Sequence, residues 1–545
     1  MAHQAGKQII IAAVAVAAAN LAYAQPHHNL SADLADRDPK TTVNVIIQYK
    51  QAPQQRHFDA VLQKGGRFHG RFSVVNGALY SVSASALAAL ANDPDVAYIS
   101  PDRPLNAAGA PTIFDYKLQA VNADLAQKSG WTGAGIGVAI IDSGVSDKPD
   151  LHGSNGYRVV YAQNLLQRGS AVDTYGHGTH VAGILGGTGG QSNGVYTGVA
   201  PNVNLINLLA LDKNGSGTDS NVIAAIQKAI QLKSQYNIRI INLSLGRPVF
   251  ESYTIDPLCQ AVEAAWKAGI VVVVAAGNEG RNNTAGTSGY STITAPGNDP
   301  YVITVGAMKT AGTSSRSDDL VASYSSKGPT LFDHIVKPDL VAPGNRIVSI
   351  LGDGTLPNQY QSSKTDSAYF VLSGTSMATP MVSGAAALLL QQNPNLTPDQ
   401  VKARLMKTAY KTFPVSSVAT DPATGTQYTS YYDVFTIGAG YLDALAALTN
   451  TDIATGTALS PVATYNATDG SVSISNIAGQ NVLWGTNVLW GTTVIWGTNV
   501  LWGTNVLSGA NVLWGTNVLW GTNVLWGTSS TPAGESTTVA INGEN

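Results

Sequence analysis

Residues 203–246 read "VNLINLLALDKNGSGTDSNVIAAIQKAIQLKSQYNIRIINLSLG", and this stretch decides the fold class. It opens on a near-continuous apolar run, short and without the alternation of a half-exposed strand. A polar Gly/Ser segment follows, then "DSNVIAAIQKAIQLKSQY", which reads as a helix. "IRIINLSLG" repeats the first kind of run. Apolar strands separated by a helix imply a parallel sheet covered on both faces. "GVAIIDSG" at 137–144 and "IVVVVAAGN" at 270–278 add strands of the same type, and "DPLCQAVEAAWKAG" adds a helix. Ligands are then expected at the carboxyl ends of the strands.

The chain has 545 residues, more than one compact core holds. Charged residues are only 12%, and 31 Lys plus Arg against 34 Asp plus Glu give a net charge of −3. No basic run appears, so nucleic-acid binding has no electrostatic support. The single cysteine, Cys259, excludes an intrachain disulfide, and its helical setting reads as a small core residue rather than a reactive thiol. Lys7, the apolar run "IIIAAVAVAAANLA" and "AYAQ" read as a signal peptide over 1–24. The run is short for a membrane span of roughly 20 residues. The expected location is therefore extracellular: secreted, or associated with the cell surface.

Residues 25–40 read as a linker to a small α+β unit over 41–106. There "VNVIIQY" alternates like a strand, and Asn76-Gly77 stands between two alternating runs as a hairpin signal. Helices are expected at "APQQRHFDAVLQKGG" and "SASALAALANDP", and a last strand at "VAYISPD". Pro, Ala and Gly enrich 104–115, a linker into the main unit at 107–450. Residues 451–480 read as a polar linker and 529–545 as a disordered end. Between them, 481–528 repeat "NVLWGT" or a close variant. Six is a multiple of two, so in an extended chain Val, Trp and Thr share one face. Gly and β-branched residues oppose helix, and no unit buries its own Trp, so a β-rich stack of units is expected. The repeat has no titratable side chain and no usual metal ligand. It is a structural spacer, a module binding a surface or glycan, or an export segment removed on maturation.

The chemistry lies in other segments. Asp142 ends the strand "VAIIDSGV". His177 opens a helix in "YGHGTHVAGILGG", with His180 three residues on, and no Glu makes the pair a zinc motif. Ser376 opens the helix "SGTSMATPMVSGAAALLL", with Pro380 expected in its first turn, where proline is tolerated. Singly, Asp142 reads as a turn residue and Ser376 as a helix cap. Together they carry more. A serine hydroxyl needs a base, histidine is that base near neutral pH, and a buried carboxylate fixes its tautomer. A helix N-terminus adds positive potential beside the nucleophile. An oxyanion needs preorganised donors. The Asn278 side chain in "VVVVAAGNEG" and the Ser376 N–H supply them.

At "DSG", "HGTHVAG", "AAGN" and "GTSMATP", in that order, the chain resembles the subtilisin-like serine proteases, peptidase family S8. "GVAP" at 198–201, "SLG" at 244–246 and "KPDLVAPG" at 337–344 also fit. The resemblance covers roughly 115–450 and implies a three-layer α/β domain with a mostly parallel sheet. It implies Asp142, His177 and Ser376 as a triad and Asn278 as oxyanion donor. Gly215, Ser216 and Gly217 on one side, and Ser244, Leu245 and Gly246 on the other, would be edges between which a peptide adds as a strand. A serine endopeptidase of broad tolerance follows, acting on proteins and peptides.

Further site residues follow from the same resemblance. The floor of an apolar P1 pocket would be "STITAPG" at 291–297, narrowed by Thr294 where many relatives have glycine. Asp173 either lines the subsite for the residue before P1 or orders its own loop. Asp150 stands at the family's usual first calcium carboxylate, and the loop 186–198 offers carbonyls and Asn193. No cofactor is implied for the chemistry, and structural calcium is compatible. The 41–106 unit resembles inhibitor-type propeptides. It would assist folding of a slow parallel topology and inhibit the enzyme until Ser376 cuts between 104 and 110. A monomer is expected. The alternative function is a structural or adhesive surface protein whose protease domain only processes itself.

Overall fold

A computed structural model describes residues 29–31, 34, 41–102, 104–106, 116–154, 156–166, 169–284, 286–313, 315–421, 424–465, 472–475, 541 and 543–544. The signal-peptide reading at 1–24 and the repeat at 481–528 lie outside them.

The stretch 203–246 folds as strand Asn204–Leu209, helix Asp219–Tyr236 and strand Ile238–Leu243. Gly137–Asp142 lies between the two strands, parallel to both. Beyond Ile238–Leu243 the sheet continues in parallel through Val271–Ala275 and Ile303–Lys309, and beyond Asn204–Leu209 it ends at Val159–Asn164. Leu340–Pro343 also runs parallel to Ile303–Lys309, and Leu320–Val321 is antiparallel to it. Every residue of Gly137–Asp142 and Val271–Ala275 is buried, which is why these runs are apolar without alternation. Helices Asp219–Tyr236 and Pro257–Lys267 pack together on this sheet, as do His177–Gly186 and Thr375–Gln392. Because the strands share a direction, the chain leaves Gly137–Asp142, Ile238–Leu243 and Val271–Ala275 at one end of the sheet. Asp142, Ser244 and Asn278 all lie at that end.

Thr375–Gln392 is buried from Thr375 through Leu390, as an all-round apolar helix requires. Pro380 stands one turn later in it than the sequence reading places it. Lacking an N–H, it leaves the Ser376 carbonyl without a helical donor. The Ser244 hydroxyl donates to that carbonyl instead, at 2.8 Å.

The small N-terminal unit is an antiparallel sheet in the order Arg67–Phe72, Gly77–Ser83, Thr42–Tyr49, Val96–Pro101. Its hairpin turns through a 3-10 segment, Ser73–Val75, before left-handed Asn76, so the connection is longer than a two-residue turn. The unit sits on the helices Asp219–Tyr236 and Pro257–Lys267. Gln48 Nε2 donates to Gln260 Oε1 at 2.5 Å and the Ser73 N–H to Gln227 Oε1 at 3.0 Å. The Asp102 carboxylate accepts from the Ser220 N–H at 2.7 Å and its hydroxyl at 2.6 Å. Ile46, Phe72 and Val75 join the core of the larger unit.

Three segments read as unstructured are ordered in part. Pro104–Asn106, at the start of the expected linker, is a strand antiparallel to Ser216–Thr218. Within 451–480, Val462–Tyr465 pairs with Val472–Ser475 and Val462 bridges to Ile335, burying Ala463. In the end read as disordered, Ile541 and Glu544 are buried.

Candidate active site

Asp142 ends its strand wholly buried, with Oδ1 accepting from the Ser143 N–H at 2.7 Å and lying 2.8 Å from His177 Nδ1. An ionised carboxylate only accepts, so this contact places a proton on Nδ1. His177 is the first residue of helix His177–Gly186. Gly178 lets the helix start close on the strand end: an added Cβ would overlap the Gly144 carbonyl and lie 3.1 Å from Asp142 Cβ. Asp173 fixes the loop leading in. It accepts from the Ser143 hydroxyl at 2.9 Å, the Tyr175 and Gly176 N–H groups at 3.0 and 2.7 Å, and the Thr179 N–H and hydroxyl at 2.8 and 2.7 Å. Burial pushes its carboxyl up to about 6 against those donors. Those donors make Asp173 the residue that orders this loop. His180, one turn on, has Nε2 3.0 Å from the Phe370 carbonyl and 3.2 Å from that of Ile347. Burial pushes it down to about 3, so it stays neutral.

Ser376 is the second residue of its helix and almost fully buried. Its hydroxyl donates to the Ser244 carbonyl at 3.0 Å, while the Ser244 hydroxyl donates back to the Ser376 carbonyl. His177 Nε2 is buried and has no hydrogen-bond partner among the described residues. The expected serine–histidine hydrogen bond is therefore not formed in this state. Asn278 Oδ1 accepts from the Thr375 N–H at 2.9 Å and hydroxyl at 3.1 Å, which leaves Nδ2 to point elsewhere. Nδ2 passes Gly374, where φ is 144° and an added Cβ would stand 3.2 Å away. The Ser376 N–H, in the first helical turn, has no carbonyl to bond within the helix. Two N–H donors thus flank the start of the serine helix. A base, a hydroxyl and two such donors are the parts acyl transfer needs.

Of the two expected substrate edges, Ser216–Thr218 is already paired, with Ser216 opposite Asn106 and Gly217 opposite Leu105. Gly215 leads into it with φ 73°. On the other edge Ser244 and Leu245 are buried, and Arg247 exchanges backbone hydrogen bonds with Ala295 at 3.0 and 2.8 Å. Thr294 Oγ1 is 2.5 Å from where a Cβ on Gly246 would sit, and Cγ2 is 2.8 Å from one on Gly277. The sequence reading missed Arg247. Its buried guanidinium pairs with Asp219 at 2.9 Å and Asp256 at 2.7 Å, tying this edge to the starts of two helices. The available signal was an aspartate at each helix start.

Asp150 does not fit calcium. Its Oδ1 accepts from the Gln191 N–H at 2.8 Å and its Oδ2 from the Tyr369 hydroxyl. The buried Arg158 guanidinium donates to the carbonyls of Asp150 at 3.1 Å, Val203 at 3.2 Å and Gly186. A cation is thus already present among these carbonyls, and Asn193 turns there with φ 54°. No group of three His, Cys, Asp or Glu is placed to hold a metal among the described residues. Cys259 is buried with Sγ 3.3 Å from Asn298 Oδ1, and burial pushes its thiol up, as a core residue.

Residues 133–440 match the subtilase family. The chain is 39% identical to serine protease AprX of Bacillus subtilis over 378 residues, covering 67% of this chain and 82% of that one. It is 36% identical to subtilisin E of the same species over 400 residues, 72% and 91% of the two chains. Fervidolysin from Fervidobacterium pennivorans, a keratinolytic enzyme related to subtilisin, superposes with a TM-score of 0.58 at 23% identity. That match covers 79% of this chain and 64% of fervidolysin, and it bears on the fold alone. Motif order, fold and relatives agree, and the chain belongs to the subtilase family of serine endopeptidases.

Proposed function

We propose that this chain is a secreted serine endopeptidase, made as a zymogen that cuts itself, with Ser376 as nucleophile and His177 as its base. The observation that carries this reading is the wholly buried 2.8 Å contact between Asp142 and His177 Nδ1, with Nε2 left unpartnered. Asp142 keeps the Nδ1–H tautomer, so the Nε2 lone pair faces the reaction. The Ser376 hydroxyl, held on the Ser244 carbonyl, turns to Nε2 and attacks the scissile carbonyl as its proton passes to His177. Asn278 Nδ2 and the Ser376 N–H receive the oxyanion. The imidazolium, stabilised by Asp142, protonates the leaving amine, and water repeats the sequence to release the acid.

The strand Pro104–Asn106 along Ser216–Thr218 supports self-processing, because it lies as a substrate segment preceding the cut would. The cut then falls after Asn106, within 107–110. The repeat takes no part in this chemistry. A self-processing scaffold is the less favoured reading, since a pure scaffold need not keep Asp142, His177, Asn278 and Ser376 together in the sequence.

A fluorophosphonate probe, followed by mass spectrometry, tests the reading. Ser376 of the secreted, processed form is expected to carry the label, and an unlabelled Ser376 overturns the proposal. Ser376→Ala is expected to keep 41–106 attached; N-termini at 107–110 in that variant would assign the cut to another protease.

A further inference from the structure

The nucleophile and the Asn278 donor come from two separate segments, and Glu544 bonds to residues fastened to each. Glu544, next to last in the chain, is only 5% exposed. Its Oε1 accepts from Arg281 Nη2 at 2.7 Å, the Ser323 N–H at 2.8 Å and the Ser323 hydroxyl. Lys309 Nζ lies 4.0 Å from Oε2. Its backbone is read as well: the N–H donates to Asn345 Oδ1 at 2.8 Å, and the carbonyl accepts from Asn345 Nδ2 at 2.9 Å. Ile541, three residues earlier, is buried in the main core. A carboxylate leaves water only for partners of this kind.

The placement links two sides of the site. Arg281 is three residues beyond Asn278, and its Nε donates to the Ser323 hydroxyl at 2.8 Å. The Gly280 N–H donates to the Tyr324 carbonyl at 2.8 Å and the Glu279 N–H to the Ser326 hydroxyl at 3.0 Å, which fastens the Asn278 loop to 323–326. On the other side Asn345 follows Gly344, whose carbonyl accepts from the Gly374 N–H at 2.7 Å, two residues before Ser376. The Glu544 carboxylate grips the first side and its backbone the second.

We propose that Arg281, Lys309, Ser323 and Asn345 form a binding site for this chain's own acidic C-terminal segment, and that its occupation holds the two oxyanion donors in register. Glu544 is then a positioning residue, and this coupling rests on the proposed enzyme function. The repeat lies in sequence between two attachments to the catalytic unit, the hairpin ending at Ser475 and Glu544.

Amide exchange on the full chain carrying Ser376→Ala, which keeps it uncut, tests the site without relying on activity. The C-terminal peptide is expected to exchange roughly ten-fold or more slowly than the same peptide free in solution. Adding Glu544→Ala is expected to abolish that protection and to speed exchange across 276–281. Exchange at the free-peptide rate in the parent overturns the site. In the active chain, with its C-terminus verified by mass, Glu544→Ala and Arg281→Met are each expected to lower kcat about five-fold with KM little changed. The double variant is expected to lose no more than either single. An unchanged kcat, additive losses, or full kcat in a secreted form lacking 541–545 overturns the coupling. Failure of Ser376 to take the probe would strike the enzyme reading and leave the exchange result standing.

Discussion

Thr294 stands between Gly246 and Gly277, and the proposed enzyme function makes this the place where a P1 side chain would enter. Small P1 residues are then expected to be favoured. Thr294→Gly is expected to raise kcat/KM for Phe over Ala at P1 about ten-fold or more, since a pocket change of this size is worth about 1–3 kcal/mol. Two peptide anilides differing only at P1 measure the ratio, and an unaltered ratio removes Thr294 from the specificity argument. His180 carries a different prediction. Burial lowers it from 6.5 to about 3 in the folded chain. The unfolded chain thus takes the proton first. The stability given by neutral His180 is whole above about 6.5 and is lost as pH falls toward 3, by up to ~1.4 kcal/mol per pH unit. Asp173 acts in the opposite sense, because its carboxyl is raised to about 6 and binds a proton more tightly when folded. Its contribution falls as pH rises from about 4 to 6, and it cancels when two variants that both keep it are compared. His180→Gln is expected to flatten the fall of Tm between pH 6 and 4 relative to the parent; parallel Tm curves would show that His180 does not set acid stability.

Helix Thr375–Gln392 shows how far a linear reading reaches. Its apolar run, its small residues and its opening serine are legible, as are the strands around 203–246, because each depends on a local period. The residue types of Asp142, His177, Asn278 and Ser376 are legible because the chemistry calls for them, and their order is legible through the resemblance to the subtilisin-like family. The partner of the Ser376 carbonyl is not. It depends on Pro380 withholding a donor and on Ser244, which is distant in sequence, supplying one. Ser244→Ala is expected to cost about 1–3 kcal/mol by leaving a buried carbonyl unsatisfied, and markedly less in a Pro380→Ala background where the helix restores the N–H. Chemical denaturation of the four chains gives the cycle, and equal costs in both backgrounds refute the exchange of donors. The same reason hides Arg247, whose partners Asp219 and Asp256 meet only after the sheet has formed. It hides Arg158 as well, so that Asp150, with the carbonyls of 186–198 and Asn193, suggested calcium. The pairing of Val462–Tyr465 with Val472–Ser475 escaped for another cause: each strand is only four residues long, too short for its alternation to stand out, and contact with Ile335 helps to select the strand.

Polar contacts among the described residues join the two folded units, and these can be weighed. The N-terminal unit rests on two helices through Gln48, the Ser73 N–H and Asp102, backed by Ile46, Phe72 and Val75. Asp102 differs from the rest because it meets the first turn of Asp219–Tyr236, where helix N–H groups lack partners and the dipole favours a negative charge. It serves as a cap supplied by another unit. Burial works against it by raising its carboxyl, and the Ser220 N–H and hydroxyl work to lower it. The geometry of two short donor contacts at a helix start favours the charged form as the docked one. Removing a cap of this kind costs about 1–2 kcal/mol. Asp102→Ala is therefore expected to weaken inhibition of the mature enzyme by an added 41–106 segment roughly 5–30-fold, while cleavage of a short peptide without that segment stays unchanged. Inhibition constants for the two segments decide it. Equal values would mean that the apolar contact of Ile46, Phe72 and Val75, with the strand Pro104–Asn106, docks the unit without help from the helix start.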